Sequence, residues 1–153
     1  MLAVNMLSDT SLVQLGFSEG LIEHLRNFDQ SSPLGFRCQP PIYYLSSPIA
    51  KRPIEPIWEC GTTLVYFSKE RQRFEECSLE NIDDIWAYYP SAQSVLAALF
   101  IKLFEDDTPE ETMRITASKV SFKQIEYLIA EATINQGENY ESWRNSFPLT
   151  CNG

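Results

Sequence analysis

Histidine is nearly missing from this chain of 153 residues, which holds His24 and no other. Nucleophilic catalysis of the common kinds pairs a serine, cysteine or threonine with a base, usually histidine. A cysteine paired with His24 is geometrically open, but no local spacing supports it. The six glycines are scattered, whereas a phosphate cradle needs them clustered in a loop that opens a helix. Nucleotide-dependent chemistry is therefore not expected. Cys38, Cys60, Cys77 and Cys151 form no C-x-x-C pair and stand apart from His24 in the chain. Zinc centres need three or four Cys or His ligands at short spacings, so neither a metal nor a cofactor is expected.

Long hydrophobic runs are also lacking. The most apolar, VLAALFIKLF from Val95 to Phe104, contains Lys102 and is about half as long as a membrane helix. It reads as a buried core helix. The N-terminal MLAVNMLSDTSLVQL has neither the basic region nor the small-residue cleavage site of a signal peptide. These absences predict a cytoplasmic protein with no membrane partner and with reduced thiols, Cys60 and Cys77 being buried and unreactive. Cations are the last shortage, 12 Lys and Arg against 21 Asp and Glu, for a net charge of −9. Such a surface repels phosphate backbones and anionic headgroups and attracts a basic protein. Nucleic acid is not an expected partner.

What is present suffices for one core. The chain is 44% hydrophobic, with nine Phe, seven Tyr and three Trp, which argues against disorder and for a single domain over 1–153. An N-terminal helix is predicted over 18–30, capped by Ser18, with Leu21, Ile22, Leu25 and Phe28 on one face and His24 at its flank. A looser helical turn precedes it from Thr10 to Leu15 and ends at Gly16. A proline-rich connection follows over 31–56, with six prolines; its one apolar run, IYYL at 42–45, is expected as a short strand at a sheet edge.

A sheet hairpin is predicted over 57–79, TTLVYFS returning as RFEECSL through the turn KERQ. This register sets Phe67 opposite Phe74 on one face and Leu64 opposite Cys77 on the other. The helical part spans 91–134. Ser91 caps the apolar helix, Thr108-Pro109-Glu110-Glu111 opens a second, and Ser121 with Gln124 caps a third with the stripe Phe122, Ile125, Leu128, Ile129 and Ala132. The C-terminal tail, 135–153, carries Tyr140, Trp143 and Phe147 and leaves two readings open, docking onto the body or partial mobility. No internal repeat or low-complexity segment is found.

Two stretches pose functional questions. PIWECGTTLVYF, 56–67, sets Glu59 beside Cys60 ahead of a strand: a reactive pair, a metal ligand, or a structural corner. From Glu75 to Glu111, ten acids face one base, Lys102. The pairs Glu75-Glu76 and Asp83-Asp84 and the run ending in Asp106-Asp107 read as solvated structural acids, as a protein-binding surface, or, with least support from spacing, as catalytic or cation ligands. Within them DDIWAYYP adds Trp86, Tyr88 and Tyr89, the mixture of aromatic anchor and charge that interfaces favour. Trp86 and one tyrosine alternatively cover the sheet. The candidate partner-binding residues are thus Glu75, Glu76, Asp83, Asp84 and Trp86, with Tyr88, Tyr89, Asp106 and Asp107.

IEPIWECG, the hairpin with its aromatic first strand, RFEECSLENIDD, SAQSVLAALFIKLFEDD and TPEE together resemble the SUKH superfamily of immunity proteins over roughly positions 55–132. The resemblance implies a single-domain α+β fold, a mainly antiparallel sheet flanked by helices, in a monomer or weak dimer. It also implies a non-enzymatic role, binding and neutralising a cognate toxin, often a nuclease and often basic. Trp58 to Gly61 then become the structural way into the sheet, Trp58 packing and Gly61 permitting the turn. The alternative of another class is an acidic adaptor or regulatory module with no toxin partner.

Overall fold

The computed structural model describes residues 6–47 and 53–152; the remainder of the proline-rich connection, at 48–52, lies outside the described residues, as do 1–5 and 153. Four strands form an antiparallel meander: β1 (Ile54–Cys60), β2 (Thr63–Ser68), β3 (Arg73–Ser78) and β4 (Ile85–Tyr89), in the order β1-β2-β3-β4. The central hairpin has the predicted register, Phe67 opposite Phe74 and Leu64 opposite Cys77. Alternation along a strand sends neighbouring side chains to opposite faces, and the two faces here bury different cores. Trp58, Val65 and Phe74 join the large core beneath the helices, while Leu64, Tyr66 and Cys77 pack with Tyr44, Leu45 and Leu79.

WECG is the end of a strand and its turn. Trp58 and Glu59 lie within β1, paired with Val65 and Leu64, and Gly61 turns the chain at φ +56. A Cβ there would meet nothing within 4 Å, so glycine serves the left-handed backbone and not a lack of room. IYYL is the first departure from expectation: it forms the helical turn α3 (Ile42–Leu45) and not a strand. The cause is Glu59, whose Oε1 and Oε2 accept from the amides of Tyr43 at 2.8 Å and Tyr44 at 3.0 Å. A buried carboxylate thus satisfies two donors that a helix start leaves orphaned.

Seven helices lie among the described residues. Ser8 caps α1 (Asp9–Gln14) and Ser18 caps α2 (Glu19–Arg26), which stops at Asn27, short of the predicted 30. Gly20 sits where α2 meets α5 (Glu110–Val120): a Cβ there would lie 1.6 Å from the Lys119 carbonyl oxygen. The predicted apolar helix is α4 (Ala92–Glu105), with Ser91 Oγ accepting from Ser94 N at 3.1 Å. It is buried on nearly every side because it lies between the sheet and the other C-terminal helices.

Two predicted caps shift. Pro109, not Thr108, holds the cap position of α5, and Ser121 ends that helix in a left-handed turn at φ +59, so that α6 (Ile125–Ile134) starts from Gln124. The tail forms α7 (Tyr140–Thr150) and docks on α4, with Trp143 and Phe147 buried. Its isolated aromatics are the buried stripe of a helix that Pro148 had disguised.

Candidate functional site

β4 passes into α4 through Pro90 and Ser91 alone, so α4 turns straight back under the sheet. That return carries Lys102 to Glu76, Nζ to Oε2 2.7 Å. It also leaves Glu105, Asp106 and Asp107 towards the end of the sheet where β4 begins, with Asp106 close enough to influence Cys60 at the end of β1. Acids distant in sequence, at 80–84 and 105–107, are brought to one end of the molecule.

Several of the predicted surface acids face inward. Glu75 is fully buried, because the β3 pleat points it at the smaller core. Its carboxylate accepts from Tyr66 Oη at 2.5 Å, from Arg71 Nε at 2.6 Å and Nη2 at 2.9 Å, and from Arg73 Nε at 2.7 Å. Burial pushes this carboxyl up, but those bonds, Arg71 foremost, outweigh it and hold the group at about 2. Glu76 is buried against Lys102, and Tyr89 is buried under the helices, where desolvation raises its hydroxyl well above the ordinary value. Glu75 is therefore an internal group, whereas Glu76 and Tyr89, though largely buried, border the cleft beside β4.

Nor are Glu105 and Asp106 simple surface charge. Arg144 and Tyr140 bind Glu105, and Arg37 grips Asp106 with two bonds of 2.7 Å, which lower that carboxyl. The sequence shows ten acids against one base, yet Arg37, Arg71, Arg73 and Arg144 reach into the region from outside it. Arg71 and Arg73 lie four and two residues before Glu75, so these couplings are visible as spacings; those of Arg37 and Arg144 are tertiary.

Part of the acidic region does stay outside. Asp83, Asp84, Trp86 and Tyr88 are exposed along β4 and the loop before it, with Glu80 and Asp107 also exposed. Trp86 and Tyr88 show 48% and 50% of their surface. Trp86 Nε1 donates to Asp84 Oδ2 at 3.0 Å, and the Arg73 guanidinium lies 4.3 Å from the Tyr88 ring centroid. Both exposed aromatics are thus held in place by their own neighbours. Beside β4 a cleft of about 550 Å³ is floored by α4 and walled by α7. The α7 side, Arg144 and Leu149, comes from the tail, which docks onto the body as a helix.

The cysteines are free and buried, and burial raises all four thiols, Cys77 to about 12 with help from nearby carboxylates. His24 donates from Nε2 to the Cys38 carbonyl at 2.6 Å, a tie between α2 and the following loop. Among the described residues no three His, Cys, Asp or Glu side chains gather as a metal site, and no helix is long and apolar enough to cross a membrane. The fold is α+β in one compact unit. No protein-family model, curated protein or solved structure matches the chain.

Proposed function

We propose that this protein binds and neutralises a basic protein partner, as an immunity protein does a toxin, by covering it with the β4 surface. One observation supports this most: two half-exposed aromatics, Trp86 and Tyr88, stand on an edge strand beside Asp83, Asp84 and Glu80. Large aromatic anchors supply most of the energy of an interface, and charges around them set the encounter rate. The net charge of −9 steers a cationic domain from a distance.

The test is association with purified basic toxin domains, nucleases among them, followed at rising salt. One domain should bind and lose its toxicity, with an on-rate that falls as salt screens the field. An on-rate indifferent to salt, or a panel in which no basic domain is retained, rejects the proposal.

A further inference from the structure

The two edges of the sheet are finished differently. On β1, Gln39 exchanges backbone bonds with Glu59, at 3.0 and 2.8 Å, and α3 lies against the strand. On β4, no strand pairs with the outer side among the described residues. Proteins commonly blunt open edges with lysine, proline or a covering segment, whereas β4 reads Ile-Trp-Ala-Tyr-Tyr, with neither charge nor proline.

We propose that an extended segment of the partner adds to β4 as a fifth strand. It sets apolar side chains into the cleft over Ala87 and a basic residue beside Asp84. This rests on the protein-binding reading above and names how the partner is held. The cleft runs along the open edge, where an added strand would lie about 4.8 Å from β4, and its floor is low because Ala87 and Ala98 are small. Pro148 and Leu149 give it an apolar wall, with the polar Asn145 beside them. Lys102 and Arg144 also line it, but Glu76 and Glu105 already hold them, so an inward-pointing ion meets ion pairs and no counter-charge.

Side chains on the opposite face of the added strand reach Trp86 and Tyr88, the cross-strand neighbours that stabilise a ladder. Charge decides between occupants. A second copy of this chain brings −9 against −9, with Glu80, Asp83 and Asp84 at the start of each edge, whereas a basic segment meets that charge favourably. Main-chain bonds then give affinity, and alternate side chains give selectivity.

The probe is a short peptide of alternating valine and threonine with lysine at both ends, titrated into the isotope-labelled protein. Its twin has the same side chains with the central amides N-methylated. The unmodified peptide should shift amide resonances at 85–89, 98–102 and 144–149 and slow hydrogen exchange in β4, and the twin should bind at least about tenfold more weakly, since it cannot complete the ladder. Equal shifts from both peptides, shifts confined to 80–84, or none at all overturn strand addition. In the first two cases a salt-dependent toxin complex still stands. Strand addition that ignores salt has the opposite meaning: the edge is a docking site and the basic-partner reading fails.

Discussion

Trp58 and Trp86 stand on the two outer strands of one sheet, each beside an acid, and they meet opposite fates. Trp58 is 3% exposed, edge-on to Phe17 with ring centroids 5.9 Å apart; Trp86 is 48% exposed, its indole nitrogen tied to Asp84. The acids diverge in the same way. Glu59 and Glu75 are buried and fully engaged, whereas Asp84 faces solvent. Residue type does not separate these pairs; what covers the strand does. β1 is closed by Gln39 and α3, and β4 is covered on one face by α4 and open along its outer side.

Truncation of the two tryptophans gives the largest contrast. Trp58→Ala should cost about 3 to 5 kcal/mol, the usual penalty for emptying a packed aromatic site. Trp86→Ala should cost under about 1 kcal/mol, as exposed substitutions do. Urea unfolding measures both. Equal midpoints would mean that Trp86 is as structural as Trp58, and the β4 surface would lose its anchor.

Next in size is Glu75. Its carboxyl ionises at about 2 in the folded chain, against an ordinary 4.5. The ion cluster therefore stabilises fully above pH 4.5 and is lost as pH falls from there towards 2. The linkage is worth roughly 3 kcal/mol. Glu75→Gln should remove a comparable amount, about 2 to 3 kcal/mol, at neutral pH, because Arg71 and Arg73 keep some solvent and are not stranded in a dry interior. It should also flatten the stability profile between pH 4.5 and 2. A wild-type profile already flat in that window would place Glu75 on the surface with the other acids.

These pairs mark what the sequence made legible. Where local chemistry decides, sequence and structure agree: the Ser18 and Ser91 helix starts, the hairpin register around KERQ, and the burial of Trp58 and of Cys77. Where a distant group decides, they part. IYYL looks like a strand until Glu59 from β1 supplies its cap, and Glu75 looks like surface charge until Arg71 and Tyr66 converge on it. Of the two readings of the tail, docking is the one the structure has, but Pro148 and isolated aromatics hide the helix that docks, whose apolar stripe exists only against α4. Tyr89 is a local case: period-two alternation along β4 buries it while leaving Tyr88 outside.

The smallest expected effect on stability tests the proposed binding role most directly. Reversing Asp83 and Asp84 to lysine should change unfolding by no more than about 0.5 kcal/mol, because both side chains lie at the exposed end of the sheet. Association with a basic partner should slow at low salt, and the difference from the wild type should shrink as salt rises, since screening removes the field that the reversal altered. Asp84 also orients Trp86, so Asp84→Asn must be measured beside the double variant: the amide keeps an acceptor for the indole while deleting the charge. A slower on-rate in Asp84→Asn then reports the field, and a faster off-rate confined to the lysine variant reports a displaced anchor. If the double reversal binds as fast as the wild type at low salt, the acids at this end are solvated structure like any other surface charge, and Trp86 and Tyr88 must act without them.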